Sequence, residues 1–189
     1  MKDGTLEDDN GGERPAGPEI AVTVSCDSWL VVVADVEETC RRVAAAALGA
    51  GAADWPAEDL ARCEISLVLS DDAEVQRLNR DYRDQDKPTN VLTFAALDDE
   101  DAPQPEDGPL VLGDVIIAYQ TTVSEAAHEN RTLVQHLSHL VVHGVLHLLG
   151  YDHQDDAEAE EMEGLETAVL GALGIPDPYA QQPGDDARP

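Results

Sequence analysis

The chain has 189 residues, enough for one domain with a sizeable hydrophobic core. Lysine and arginine number 11 against 40 aspartates and glutamates, so the formal net charge is -29. This charge argues against a protein that holds nucleic acid through a broadly positive surface. A polyanion is repelled at long range unless a local positive patch, a metal ion or a partner offsets the field.

The three cysteines, Cys26, Cys40 and Cys63, do not have the spacing of a metal site. An odd count without a motif is typical of reduced thiols in an intracellular protein. The start of the chain lacks a charged and then apolar leader, and no apolar run is long enough to span a membrane. We therefore expect a cytoplasmic protein with no membrane partner.

The first half of the chain shows both helical and strand-like spacing of apolar residues. Gly49 and Gly51 are typical of a helix end, and an aspartate before a periodic segment is typical of a helix start. In chain order we expect a disordered acidic tail over 1–18, a strand at 19–25, a helix at 36–48, a strand at 65–69, and a helix from Asp71 or Asp72 to Tyr82.

The second half alternates in the same way between short apolar runs and longer periodic segments. We expect strands at 91–95 and 110–118, helices at 124–129, 132–149 and 155–173, and a disordered tail at 180–189.

This order of about four strands and about five helices predicts a single α+β domain over 19–179, with a small mixed sheet. One face of the helix at 132–149 is apolar and should pack on that sheet. The residues of this face are Leu137, Leu140, Val141, Val145 and Leu148. The histidines of the same helix would then face a cleft.

Three histidines have the spacing of one metal site. His143 and His147 are four residues apart and so project from one face of a helix. Gly150 can adopt a left-handed conformation, end the helix and turn the chain so that His153 returns beneath the other two. Three protein ligands with an open fourth position are typical of a catalytic zinc ion, so we expect one Zn²⁺ per chain.

The same spacing occurs on the metal helix of the metzincin proteases, where a glutamate follows the first histidine and acts as general base. In this chain that position is Gly144. Without this carboxylate the bound water lacks its usual proton acceptor, so ordinary proteolysis is disfavoured.

Other polar residues near this segment have simpler interpretations. Asp152 either orients His153 or caps the next turn. His139 lies about 12 Å from position 147 along the helix, too far to share its ion. For His139 and His136 we favour a buried or solvated side chain, and a role in supporting the site or facing RNA is the alternative. The glutamates of the last helix are most simply a solvated face.

Four segments together resemble a known family: residues 78–83 (LNRDYR), 86–94 (DKPTNVLTF), 112–115 (LGDV) and 143–153 (HGVLHLLGYDH). From about residue 64 to 179 the chain resembles the YbeY-type endoribonucleases, also called the rRNA maturation factors. The resemblance implies that His143, His147 and His153 bind the metal, and that Arg83 and His143 are catalytic. The acidic segment 98–108 looks peculiar to this chain.

The resemblance implies a single-strand-specific, metal-dependent endoribonuclease that matures the 3′ end of small-subunit (16S) rRNA and acts in ribosome quality control. Its partners would be single-stranded RNA or rRNA precursor, the small ribosomal subunit and assembly factors, and not DNA. In that chemistry the metal polarises a phosphate oxygen or supplies hydroxide. Arg83 is suited to stabilise the phosphorane, because a guanidinium binds phosphate oxygens in a bidentate fashion. Lys87 is a weaker candidate for RNA contact.

Two other classes of function fit the same histidines. One is a metal-dependent peptidase or other hydrolase, which would need a carboxylate from elsewhere in the chain. The other is a non-catalytic ribosome assembly factor in which zinc stabilises the fold. Activity on peptides but not on RNA would support the first, and biological function that survives loss of Arg83 would support the second.

Overall fold

The computed structural model describes residues 17–96 and 108–180. The tails predicted at 1–18 and 180–189 and the acidic segment 98–108 fall almost wholly outside these residues and stay predictions.

Four strands form one sheet, and helices of very different lengths connect them. The strands are β1 (Glu19–Val24), β2 (Cys63–Ser70), β3 (Val91–Ala95) and β4 (Leu110–Ala118). The helices are α1 (Ser28–Val32), α2 (Val36–Gly51), α3 (Ala57–Leu60), α4 (Asp72–Arg83), α5 (Tyr119–His128), α6 (Leu133–Leu148) and α7 (Asp156–Ala172).

The predicted α+β domain with a four-stranded mixed sheet is confirmed, and β3 and β4 have the predicted bounds. The described residues hold seven helices rather than about five, because the short helices α1 and α3 were not expected. Helix α5 also begins earlier than predicted, at Tyr119. Among the described helices, none is both long enough and apolar enough to cross a membrane.

The sheet has the order β1-β2-β4-β3. Strand β2 lies parallel to both of its neighbours, and β3 runs antiparallel to β4. Strand β3 is therefore an edge strand, and its outer side is free to line a cleft.

Different helices cover the two faces of the sheet. Helices α2, α6 and α7 contribute to the large core cluster, together with alternate residues of β2 and β4. Helix α4 covers the other face, where Val75 packs with Leu92 and Ala118 in a smaller cluster. The five apolar residues predicted to join α6 to the sheet are all buried.

Helix α6 begins with a capping box. The Thr132 hydroxyl accepts a hydrogen bond from the Gln135 amide at 3.2 Å, and the Gln135 side chain accepts one from the Thr132 amide at 2.9 Å. Two donors at the helix start are thereby satisfied. This fixes where the helix begins and so helps to set the rotation of its histidine face.

Gly144 brings α6 close to β4. A Cβ atom at this position would lie 2.4 Å from Cγ1 of Val115, a buried branched side chain. Only glycine allows this approach of helix and sheet. The position that carries glutamate in the metzincins is thus occupied here by helix–sheet packing, which gives a structural reason for the missing carboxylate.

We predict that Gly144→Ala destabilises the protein by about 1–2 kcal/mol, because overpacking a core costs more than the helix propensity that alanine gains. Gly164→Ala is the matched control in α7, where an added Cβ meets nothing within 4 Å. It should stabilise the protein by about 0.5–1 kcal/mol. Denaturant unfolding of both variants measures the difference, and a Gly144→Ala protein as stable as wild type would contradict the packing argument.

Two of the three cysteines are shielded thiols. Cys40 and Cys63 are buried, whereas Cys26 is half-buried. Burial raises the pKa of Cys40 to about 12 and, with the nearby Asp59 carboxylate, raises the pKa of Cys63 to about 11. Raised pKa values leave almost no thiolate, the reactive form, near neutral pH.

We therefore predict that the folded protein has one readily modified cysteine, Cys26. Titration with a chromogenic disulfide at about pH 8 should detect one fast thiol per chain in buffer and all three in denaturant. Rapid reaction of three thiols in the folded state would contradict the burial of Cys40 and Cys63.

Candidate metal centre

His143 and His147 lie one turn apart on α6, with their rings in contact. Their Nε2 atoms are 3.1 Å apart, and their ring centroids are 4.5 Å apart. Two nitrogen ligands of a tetrahedral zinc ion lie about 3.3 Å apart when each is about 2.0–2.1 Å from the metal. The two side chains therefore already have nearly the separation that one ion requires.

A Schellman turn after α6 returns the chain toward these rings. The amide of Gly150 donates to the carbonyl of His147 at 3.0 Å, and the amide of Tyr151 donates to the carbonyl of Leu146 at 3.1 Å. Gly150 has a φ of 89°, a conformation that favours glycine. The turn places the centroid of the His153 ring 5.1 Å from the centroid of the His147 ring.

The three histidines form a compact set of donors. One nitrogen from each lies within 4.8 Å of the other two, and within the described ranges no other group of three potential ligands converges in this way. Burial, with the neighbouring imidazoles His143 and His153, lowers the pKa of His147. A lower pKa favours the neutral imidazole, the form that binds metals. The donor set fits a divalent metal ion that prefers nitrogen.

A cleft of about 460 Å³ opens beside these histidines. One wall comes from α6 and the following turn, and the other from β3 and the loop before it. Its lining residues are Arg83, Thr89, Asn90, Val91, Thr93, Ala95, His143, His147, Gly150, Tyr151, Asp152 and His153. The cleft is open and polar, as a site for an extended polar substrate must be.

Arg83 reaches this cleft from the last residue of α4. The side chain is exposed, and its Nη2 atom donates a hydrogen bond to the carbonyl oxygen of Thr93 in β3 at 3.1 Å. This contact holds the guanidinium against the wall that faces the histidines. The structure thus brings Arg83 and the three histidines to one cleft.

Asp152 contacts the backbone of the histidine that follows it. Its carboxylate accepts the His153 amide at 2.8 Å and also a hydrogen bond from the Gln154 side chain. The hydrogen bond from the His153 amide and, to a smaller extent, the one from Gln154 lower the pKa of this carboxyl group. The cap of α7 is instead Asp155, which accepts the amides of the first helical turn. Asp152 therefore shapes the turn that carries His153.

The expectation that the glutamates of the last helix form a solvated face is wrong for Glu166. This side chain is fully buried. Its Oε1 atom lies 2.8 Å from Nδ1 of His143, its Oε2 atom lies 2.8 Å from Nε2 of His139, and the Tyr179 hydroxyl donates to the same Oε2. A carboxylate from α7 thus meets a histidine of the candidate metal centre.

Three donors keep this buried carboxylate ionised. Burial alone would raise the pKa of Glu166, but the hydrogen bonds from His139, His143 and Tyr179 outweigh it and lower the pKa to about 2. Burial, together with the hydrogen bond to Glu166, raises the pKa of Tyr179. A buried charge is tolerated only with such partners, so the three donors and the carboxylate depend on one another.

The sequence of α7 carries a signal for a buried Glu166. Met162 comes four residues earlier and Val169 three residues later, and both are buried. Glu166 therefore falls on the apolar stripe of α7, where an acidic residue requires a partner. The many neighbouring acidic residues of this helix obscured the signal.

A second polar chain joins α6 to the cleft wall. Nε2 of the buried His136 lies 2.8 Å from the Glu125 carboxylate in α5, and the Asn90 amide donates to the same oxygen at 3.0 Å. Asn90 lines the cleft. His136 is thus buried, in line with the favoured interpretation, and its hydrogen bond also helps to hold a cleft residue.

The family described as Endoribonuclease YbeY matches residues 32–174 of this chain. Relatives with that name include a Paramagnetospirillum magneticum protein that is 58% identical over 164 residues, 87% of this chain and 97% of its own. Another, from Rhodospirillum rubrum, is 53% identical over 169 residues, 88% of this chain and 84% of its own. A third, from Bradyrhizobium diazoefficiens, is 48% identical over 171 residues and 90% of each chain. The chain therefore belongs to the YbeY endoribonuclease family.

Proposed function

We propose that this protein is a metal-dependent endoribonuclease of rRNA processing that cleaves single-stranded precursor RNA at the 3′ end of small-subunit rRNA. The observation that carries the proposal is the convergence of three histidine nitrogens and the Arg83 guanidinium on one open cleft. Family membership supports the reaction and the RNA substrate. We extend the proposal to ribosome quality control, to the small subunit and assembly factors as partners, and to the cytoplasm as the place of reaction.

The metal we propose is one zinc ion per chain, held by His143, His147 and His153. Imidazole nitrogen is a preferred zinc ligand, and three protein ligands leave a position open for substrate. Zinc bound there supplies Lewis acidity at a phosphate oxygen. The neutral state favoured at His147 keeps its nitrogen available without prior loss of a proton.

Arg83 would bind the phosphate that is cleaved. Its hydrogen bond to the Thr93 carbonyl occupies one end of the guanidinium and leaves further N–H groups for phosphate oxygens. A donor held in place in advance stabilises the charge that grows on those oxygens in the transition state. His143 would act at the same reacting phosphate from the opposite wall of the cleft.

The local charge near the cleft differs from that of the whole chain. Arg77 and Arg80 of α4 lie in ion pairs with Glu74 and Asp81. Arg83, the next basic residue along the helix, instead contacts a neutral carbonyl. Its positive charge is therefore directed to the cleft, where it and a bound cation would offset the repulsion of RNA by a chain of net charge -29.

The peptidase alternative would have to take its general base from a position other than residue 144. The position that would carry the general-base glutamate is Gly144, which packs against Val115 and does not face the cleft. The assembly-factor alternative predicts that the metal matters only for folding. Under this alternative the loss of Arg83 would leave the biological function intact, whereas a nuclease would lose its activity.

We predict that the purified protein binds one zinc ion per chain and that His147→Ala weakens zinc binding by more than about 100-fold. Loss of a ligand should cost more affinity than loss of a hydrogen bond to a ligand, which typically costs about 10- to 100-fold. His128→Ala is the matched control, because His128 is exposed at the end of α5. Competition with a chromophoric chelator measures both affinities. Equal zinc binding by His147→Ala and wild type would contradict the proposed ligand set.

We predict that Arg83→Ala lowers the rate constant for cleavage of a labelled single-stranded rRNA precursor fragment by about 100-fold while zinc binding is unchanged. Arg80→Ala removes the same charge from the same helix outside the cleft, and its rate should stay within about two-fold of wild type. If wild type, His147→Ala and Arg83→Ala all cleave equally, the activity is a contaminant and the assembly-factor alternative is favoured.

The product ends identify the nucleophile in the same experiment. Attack by water leaves a simple monophosphate and a hydroxyl, whereas attack by the 2′-hydroxyl of the RNA leaves a cyclic phosphate. A fragment with a single 2′-deoxy nucleotide at the cleaved position provides the control, because it blocks only the second route.

A further inference from the structure

Glu166 is a buried carboxylate in direct contact with a histidine of the candidate metal centre. It comes from α7, far along the chain from Arg83, and its side chain is fully buried. Removing an ionised carboxylate from water carries a large free-energy cost unless hydrogen bonds compensate for it. A solvated residue at this position would avoid that cost, so the carboxylate calls for a structural explanation.

Each carboxylate oxygen faces a defined donor. Oε1 lies 2.8 Å from Nδ1 of His143, while Oε2 meets Nε2 of His139 and the Tyr179 hydroxyl. A carboxylate oxygen accepts hydrogen bonds, so this 2.8 Å contact favours the His143 tautomer whose proton is on Nδ1. The lone pair of this imidazole is then on Nε2, the atom that lies 3.1 Å from Nε2 of His147.

Tyr179 is itself held at this place by the segment that follows α7. The Asp177 carboxylate accepts the Tyr179 amide at 2.8 Å, and Arg131 donates a hydrogen bond to the carbonyl oxygen of Pro178. The Tyr179 ring also packs edge-on against His139, with centroids 5.6 Å apart. The segment after α7 thus contacts Glu166 through Tyr179, and neither residue lines the cleft.

We propose that Glu166 is a positioning residue that fixes the tautomer and ring orientation of His143 for metal binding, and that Tyr179 holds Glu166 in that role. The inference rests on the metal site of the proposed function. A histidine ligand whose second nitrogen donates to a carboxylate is a stronger and better oriented ligand. His139 donates a further hydrogen bond to Glu166 and lies outside the proposed set of metal ligands.

Glu166→Gln tests this role with little change in shape. An amide has one acceptor oxygen, so it can satisfy His143 only if its NH₂ group faces His139 and the Tyr179 hydroxyl. In the other orientation the His143 proton moves to Nε2, the atom that faces the metal. We expect the zinc affinity of this variant to fall by about 10- to 100-fold.

Tyr179→Phe is the milder variant, because it removes a single hydroxyl from a side chain that is 42% exposed. We expect it to lower zinc affinity by several-fold, about 3- to 10-fold, which is less than the loss of the carboxylate. Glu160→Gln is the matched control: Glu160 is exposed on the same helix, so the charge change is equal but the carboxylate lies outside this network.

The measurements are zinc affinity by chelator competition and the visible absorption of the Co²⁺-loaded full-length proteins. Circular dichroism of the metal-free proteins checks the fold. The cobalt spectrum reports ligand geometry, which a role limited to global stability would leave unchanged. Support consists of weaker zinc binding and an altered cobalt band in Glu166→Gln and Tyr179→Phe, with Glu160→Gln like wild type.

The inference is overturned if folded Glu166→Gln binds zinc within about two-fold of wild type and has the same cobalt spectrum. Should Glu166→Gln fail to fold, Tyr179→Phe decides in the same way: wild-type affinity and spectrum refute the role. A wild-type protein that binds no zinc contradicts the metal site as well, whereas normal zinc binding without RNA cleavage contradicts only the proposed reaction.

Discussion

The close approach of α6 to β4 at Gly144 sets the geometry on which the candidate site depends. With no side chain at this position, Val115 fills the space between helix and sheet. The apolar face of α6 is then buried against the sheet, and His143 and His147 come to its half-buried margin. The edge strand β3 lies beyond β4 and forms the opposite wall. This close helix–sheet contact therefore helps to set how near α6 lies to the strands that form the opposite wall.

The acidic residues of this chain serve two distinct physical purposes. Most of those within residues 17–96 and 108–180 are exposed, and the excess of acidic residues gives the protein its large negative charge. Glu125 and Glu166 instead pair with histidines of α6, at His136 for the first and at His139 and His143 for the second. In these pairs the carboxylate anchors a neighbouring helix to α6. The helices on either side of α6 are thus joined to it by hydrogen bonds as well as by apolar packing.

Long periodic segments were predicted well from the sequence because their packing is repeated along the chain. Strands β3 and β4 had the predicted bounds, and the Asp71 side chain caps α4 by accepting the Glu74 amide. Helix α1 was missed because five residues carry too little periodicity and its valines favour strands. Its exposed Val31 offers no burial signal either.

The candidate site was predicted to the extent that it is local in sequence. The spacing of His143, His147 and His153 grouped three residues that do lie together, although their role as ligands stays a prediction. The spacing of α7 places Glu166 on its apolar stripe, but its partners come from α6 and from the segment after α7, a tertiary arrangement that spacing does not encode. Arg83 was selected through the resemblance, since no local pattern relates it to the histidines.

The contact between Tyr179 and Glu166 also bears on how the protein is made. Synthesis proceeds from the amino terminus, so His143, His147 and His153 leave the ribosome before α7 and well before Tyr179. A nascent chain at that stage has the three imidazoles but not the carboxylate and hydroxyl that support them. If Glu166 orients His143 as inferred, firm metal loading waits until Tyr179 has been synthesised and has packed against α7, so the three ligands are made before the site that orients them is complete.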